Sequence, residues 1–147
     1  MRIAVQAEAF DIGAETAAFA AGVTGVGAIV TFTGIVRNTA TGDLLAMEIE
    51  HYPGMTERAI TAIAGQAATR WSLRDCLVIH RHGRLPPGAP IMMVATAAPH
   101  RAEAFAAADF LMDYLKSRAP FWKREITASG ATWVAAKACD EDALTRW

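Results

Sequence analysis

The chain has 147 residues, 53% of them hydrophobic and 20% charged, with a formal net charge of −1; these are ordinary globular proportions and exclude a disordered, strongly charged protein. The length suits one domain spanning residues 1–147, able to bury roughly two thirds of the surface its unfolded chain would expose. A near-neutral chain is not a general electrostatic trap for nucleic acid, so any anion site has to be concentrated locally.

The N-terminal run MRIAVQA alternates like a strand. Without a basic leader followed by a long apolar core, and with no window reaching the ~20 apolar residues of a membrane span, the sequence reads as cytoplasmic. Asp11 or a neighbour caps an alanine-rich helix, IGAETAAFAA, that Gly22 can terminate. The β-branched run GVGAIVTFTGIVRN predicts a long strand with its glycines at a bend or bulge. After the turn NTATGD, the segment LLAMEIEHY sets Leu45, Met47 and Ile49 against Glu48 and Glu50. Its alternation predicts a second strand, and the short connection predicts that the two strands pair.

The stretch PGMTERAITAIAGQAATRW begins with turn chemistry and puts Ile60, Ile63, Ala64 and Ala67 on one face of a helix. Strands DCLVIHRHG and PIMMVATAAP follow, joined by the turn RLPPGA. Next comes a helix from about His100 to Arg118, which Pro120 should stop by disfavouring helical geometry at Ala119. Extended FWKREITAS and TWVAAKA complete the order β-α-β-β-α-β-β-α-β-β. Hairpins mixed with crossover helices predict an α+β fold, not a doubly wound parallel sheet.

The segment MDYLKSRAPFWKRE stands apart, with Lys116, Arg118, Lys123 and Arg124 crowded around Pro120 among aromatic rings. On a helical wheel drawn from Phe105, Met112 falls at about 340°, Arg101 at about 320° and Lys116 at about 20°. This predicts an apolar stripe flanked by Arg101 and by a partly desolvated Lys116; a snorkelling lysine at a helix C-terminus is the plainer alternative. His100 and Arg101 sit in the first turn, where cations oppose the helix dipole by ~0.3–1 kcal/mol, so a phosphate or carboxylate there would offset them. Glu103 and solvent offer a second way to do so. Arg101 and Lys116 are 15 positions apart, about 22 Å along a helix. One small anion cannot touch both, and a single site using both ends needs a second copy of the chain.

Lys123 lies beyond Pro120, where a turn can fold it back beside Lys116; paired, buried amines favour a neutral base or nucleophile. Arg37 ends the long strand, and a bulge at Gly34 would bring Phe32 to its side. His80 and His82, two apart, read either as a metal pair or as an ordinary surface strand, and His51 and Tyr52 as structural. Cys76 and Cys139 are too sparse for a disulfide framework, and Cys76 reads as a buried hydrophobe. Hydrolase, metalloprotease and nucleotide-loop motifs are lacking.

The segments VTFTGIVRN, EIEHYPGMTE, VIHRHG, APHRAEAF and MDYLKSRAPFWKRE, in this order and ending in RW, strongly resemble the large, catalytic subunit of molybdopterin synthase from about Gly25 to Trp147. The resemblance implies an α/β hammerhead fold with an additional antiparallel β subdomain, in a homodimer that binds two copies of a small ubiquitin-like subunit, a heterotetramer. It implies transfer of sulfur, twice, from that subunit's C-terminal Gly-Gly thiocarboxylate to cyclic pyranopterin monophosphate, in molybdenum cofactor biosynthesis. By resemblance Lys116 and Lys123 are catalytic, Arg37 shares their pocket, and Phe32 and Met112 help line it. His100 and Arg101 bind substrate anion from the neighbouring protomer, and Lys137 matches a further basic position. No cofactor, metal, nucleic acid or membrane is implied. One departure is Ala89, where the family usually has an acidic residue. Two readings compete with this one: a non-catalytic anion or nucleic-acid binder, and a scaffold that only docks a ubiquitin-like tail.

Overall fold

The computed structural model describes residues 1–135 and 138–147. Alternating RIAVQ forms β1 (Arg2–Gln6), and α1 (Ile12–Gly22) starts where the Asp11 carboxylate accepts from the Ala14 N–H at 2.7 Å, as the sequence predicts. β2 (Ala28–Ile35), β3 (Ala46–His51), α2 (Met55–Arg70), β4 (Asp75–Arg81), β5 (Gly83–Leu85) and β6 (Pro90–Ala98) lead to α3 (Arg101–Ser117). β7 (Phe121–Thr127), β8 (Gly130–Trp133), α4 (Ala138–Ala143) and a 3-10 turn, Leu144–Arg146, complete the fold. The sequence reading missed three-residue β5, whose neighbours Pro86, Pro87 and Gly88 read as turn, and the short α4.

The strands form two sheets, ordered β1-β4-β6-β2 and β5-β3-β7-β8, so the class is α+β. In the first, β1 runs parallel to β4 and the other pairs are antiparallel; the second is antiparallel throughout. The expected pairing of β2 with β3 does not form. β2 pairs with β6, and β3 lies between β5 and β7 in the other sheet. The connection explains the difference. Val36 exchanges backbone bonds with Gly88 and Ala89, and Asn38 Oδ1 accepts from the Leu44 N–H at 3.0 Å. Thr41 bonds Asp43 at 2.7 Å, and the Leu45 N–H then donates to Ile126 on β7 at 2.8 Å. Side chains that read as hairpin turn formers thus build a bridge between sheets. Ala89 packs its methyl against the main core, a place ill suited to a carboxylate.

α2 and α3 cover one face of the first sheet through Ile60, Ile63, Val78, Val94, Phe110 and Leu111. On the opposite face, Phe19 of α1 packs on Leu77, Ile79, Met93 and Ala95. β4 and β6 are therefore apolar on both faces, and each large buried side chain contributes roughly 1.5–3 kcal/mol. The wheel drawn for α3 needs correction. Phe105 is 61% exposed, whereas Ala104, Ala107, Ala108, Leu111 and Leu115 are buried. The true stripe is centred about 120° away from Phe105. Arg101 and Lys116 lie outside it and are both exposed.

Candidate functional site

The end of α3 and the start of β7 build the basic site. α3 stops at Ser117, and the Arg118 N–H closes the last turn on the Tyr114 carbonyl at 2.7 Å. Pro120 turns the chain out, and Thr56 Oγ donates to its carbonyl at 3.3 Å. β7 then runs beside β3 with Lys123 opposite Ile49 and Phe121 opposite His51. Side chains alternate across a strand, so Phe121 and Lys123 share one face of β7 while Trp122 and Arg124 occupy the other. On the latter face, Arg124 is paired with Glu48, and Trp122 meets Tyr52 edge-on at 5.4 Å.

The four cations of MDYLKSRAPFWKRE therefore divide. Arg118 pairs with Glu141 at 2.8 Å and Arg124 with Glu48 at 2.5 Å. Lys116 and Lys123 form no such ion pair among the described residues. Lys123 is partly buried and close enough to Lys116 for the two charges to interact. Burial first, then the Lys116 ammonium, pull Lys123 below the usual lysine range, while Asp140 pulls it back up. Lys116, expected to be partly desolvated, is exposed, and Lys123 is the desolvated amine.

Beneath Lys123 lies His80, only 2% exposed and stacked on Phe121 with ring centroids 3.7 Å apart. Its Nδ1–H donates to the Arg81 carbonyl at 2.8 Å. Burial, reinforced by Lys123, pushes its pKa down to about 3, so the imidazole is neutral at physiological pH. This corrects the surface-strand reading of IHRH. His80 and His82 do not act as a pair; His82 instead lies against His51, ring centroids 4.2 Å apart. Among the described residues no three His, Cys, Asp or Glu side chains converge as a metal would require. Sequence reasoning missed His80 as part of the site, although the unbroken apolar run CLVI before it marks β4 as buried on both faces.

Arg37 is exposed two residues beyond β2, and the strand's register shifts between Gly34 and Ile35, the bulge expected from the glycine. Phe32, partly exposed, has its ring edge beside Gly34. β2 pairs Ala28 with Ala98 and Ile35 with Pro90, and α3 begins just after Ala98 and packs back along β2 and β6. Arg37 therefore leaves the sheet toward the end of the molecule where α3 terminates at Lys116. Met112 is half-buried against the main core.

His100 and Arg101 lie at the opposite end of α3. They line an open cleft of about 430 Å³ with Gly27, Pro99 and Ala102, and no side chain caps the helix amides there. The structure thus brings Lys116 and Lys123 together and keeps His100 and Arg101 away from them within one chain. Lys137 lies outside the described residues. A groove of about 730 Å³ runs between α2 and α3 past Gly65, Phe110 and Trp147. Its lining contains none of these cations.

Fold and site define a two-sheet α+β protein with a half-buried lysine, Lys123, near the exposed Lys116 at one end of α3 and an open cleft lined by His100 and Arg101 at the other. The MoaE protein family matches residues 5–118, and the chain belongs to that family. It is 73% identical over all 147 residues, and over the whole of its counterpart, to the molybdopterin synthase catalytic subunit of Cereibacter sphaeroides. A solved molybdopterin biosynthesis MoaE protein from Burkholderia ambifaria is 49% identical, covers 99% of this chain and 96% of its own, and superposes with a TM-score of 0.84. One further likeness is of fold alone. The complex of subunits 1 and 2 of molybdopterin-converting factor from Helicobacter pylori contains a chain 18% identical, with a TM-score of 0.75, covering 92% of this chain and 90% of its own.

Proposed function

We propose that this chain is a catalytic subunit of molybdopterin synthase, a sulfurtransferase acting in molybdenum cofactor biosynthesis with a small ubiquitin-like partner. In this reading residues 1–147 form one catalytic domain, of α/β hammerhead type with an additional antiparallel subdomain, working in the cytoplasm. No described helix is long and apolar enough to cross a membrane. The relatives' designation as a catalytic subunit entails a second component, and the partner brings the sulfur as a C-terminal thiocarboxylate. Neither cysteine is a better source. Cys76 is buried with its thiol pushed up to about 12, chiefly by burial, and Cys139 lies on the outer surface of α4.

The observation that carries the reading is the desolvated Lys123 facing Lys116. A thiocarboxylate entering between them pairs with the cationic amines and relieves their repulsion. Its sulfur bonds to a side-chain carbon of the pterin, giving a thioester; a nucleophile or water then attacks the acyl carbon and the acyl C–S bond breaks with the sulfur kept by the pterin, while an amine of lowered pKa gives up and regains the proton. In this reading Lys116 accepts the acyl group transiently as an amide, and water afterwards restores the amine and leaves the partner's carboxylate. Arg37 holds substrate anion at this end, with Phe32 and Met112 as apolar walls and Lys137 as a further cation. His100 and Arg101 hold the phosphate of cyclic pyranopterin monophosphate from the neighbouring protomer of a homodimer, giving a heterotetramer with two small subunits.

Incubating the purified chain with thiocarboxylated partner and cyclic pyranopterin monophosphate should yield the dithiolene product. Lys116→Ala and Lys123→Ala should each lower turnover by at least ~100-fold, the usual loss for a proton-transfer group. Full turnover in both variants would leave only a docking scaffold.

A further inference from the structure

α3 packs on the first sheet and carries Lys116, whereas Lys123 stands on β7 in the second. The spacing of the two amines is therefore set where the chain passes from one sheet to the other, at residues 118–121. Within that turn the Arg118 and Ala119 N–H groups both reach back to the Tyr114 carbonyl, the Phe121 N–H reaches only Ala119, and Pro120 has no N–H to give. Two buried side chains hold the turn from outside. Thr56, fully buried in the first turn of α2, accepts from the Tyr52 N–H at 3.0 Å and donates to the Pro120 carbonyl at 3.3 Å. The start of α2 is itself fixed: Gly54 takes a φ of 79°, and its N–H donates to the Glu57 carboxylate at 2.6 Å. His80, on β4 of the first sheet, lies nearly flat on the Phe121 ring of the second, with 16° between the planes. Its Nδ1–H, given to the Arg81 carbonyl at 2.8 Å, fixes the rotation of the imidazole.

We infer that Thr56 and His80 are positioning residues of the lysine pair: together they clamp the Pro120–Phe121 step and so fix where Lys123 stands relative to Lys116. This rests on the reading of the two lysines as catalytic. β3 ends at His51 and β7 begins at Phe121, and these two residues are paired. Tyr52 and Pro120 lie one step beyond, and the Thr56 hydroxyl inserts between the N–H of one and the carbonyl of the other as a relay at the open end of the ladder. Burying a hydroxyl costs free energy that valine would avoid, and here both its bonds are spent on this junction. The Pro120 carbonyl belongs to the planar peptide that leads into Phe121, so hydroxyl and imidazole act on one rigid unit. Phe121 and Lys123 share a face of β7, about 7 Å apart along the strand. Pairing with β3 sets only the place of β7 in its own sheet. The stack on His80 reaches across to the first sheet, and the Thr56 hydroxyl ties the turn to α2, which covers that sheet beside α3.

The test uses the full chain with 13C-labelled lysine side chains, titrated by NMR, with the Lys123 signal identified by its loss in Lys123→Met. Burial and Lys116 outweigh Asp140 in holding that amine below the usual range, so a Lys123 released from its place titrates at higher pH. Thr56→Val keeps the shape and removes the hydroxyl; it should move the midpoint up, while Thr56→Ser, which keeps the hydroxyl, should leave it in place. His80→Leu should move it up as well, and His80→Phe, which puts a ring back under Phe121, should return it. An unmoved midpoint in both Thr56→Val and His80→Leu overturns the inference. So does a serine variant that moves it as far as valine, because lost packing volume would then be the cause. Should Thr56→Val fail to fold, His80→Leu against His80→Phe decides in the same way. In the sulfur-transfer assay Thr56→Val should lower kcat by up to ~100-fold, the loss that a misplacement of about 1 Å brings, with the KM for the pterin little changed. If the midpoint moves as stated while even the unaltered chain transfers no sulfur, the assignment of the reaction fails and the clamp stands.

Discussion

Lys123 and His80 are buried groups that the fold holds against their ordinary titration, and both leave signatures in stability. Lys123 has a folded pKa below the usual 10.5, so between those two values the unfolded chain binds more protons. Stability is reduced at neutral pH and recovers as pH rises through that window. Lys123→Met should therefore raise stability at pH 7 by roughly 0.5–2 kcal/mol while abolishing turnover, a trade expected of a functional residue and readable by urea denaturation. For His80 the window lies lower, from the ordinary imidazole value of 6.5 down to about 3. As pH falls through it the unfolded chain takes up a proton that the folded chain refuses, and about 1.4 kcal/mol is lost per pH unit. His80→Asn should remove that slope, seen as a shallower fall of unfolding free energy between pH 6.5 and 4, despite lower stability at pH 7 from the lost stack on Phe121. At this scale the sequence named the lysines but misjudged which is buried. Phe105 looked like the centre of the α3 stripe because it is the largest apolar residue in the first turns, whereas in those turns the small Ala104, Ala107 and Ala108 are buried, ahead of Phe110, Leu111 and Leu115. Close helix–sheet packing selects for side-chain size as well as polarity, and a wheel weighted by hydrophobicity alone overlooks that.

Element boundaries were well marked where punctuation was local: Asp11 caps α1, Gly22 ends it, and Pro120 separates α3 from β7. Partner choice between strands was not. β3 has the alternation of a strand in either sheet, and only the bonds of residues 36–45 to Gly88, Ala89 and Ile126 decide which one receives it. Those contacts are long-range and leave no periodic trace. Glycine placement carries information of another sort. Gly27 precedes β2 at the point where Pro99 leads into α3, and a Cβ there would sit 2.3 Å from the Pro99 carbonyl oxygen, a backbone atom with little room to move. Gly27→Ala must push the Pro99–His100 turn away, carrying the start of α3 with it. The expected result is a loss of roughly 1–3 kcal/mol in stability, the range for overpacking. A raised KM for the phosphate-bearing substrate should accompany it, with kcat less affected because Lys116 and Lys123 lie at the other end of the helix. Equal loss of kcat and no change in KM would place the substrate anion elsewhere.

A single copy of the molecule holds its two basic clusters at opposite ends of one helix. α3 separates Arg101 from Lys116 by 15 residues, or about 22 Å, and the cleft at Arg101 does not include Lys116. A pyranopterin phosphate is too small to span that length, so either the anion cleft at His100 and Arg101 is unrelated to the lysines or it serves the lysines of another copy. A two-fold dimer resolves this without any movement within the chain, because an isologous contact that brings Arg101 of one protomer to Lys116 of its partner also creates the reciprocal site. Complementation distinguishes the two cases. In homodimers, Lys116→Ala and Arg101→Ala each spoil both sites. In a mixed dimer of the two variants, one site contains both substitutions and the other contains neither. Random reassociation makes half the dimers mixed, each with one intact site of two, so activity should return to about a quarter of the unaltered level. If each chain carries its own complete site, every site in the mixture still bears one substitution and nothing returns. Reassociation through partial unfolding, followed by the dithiolene assay, measures that difference directly, and no recovery would confine the active site to one protomer.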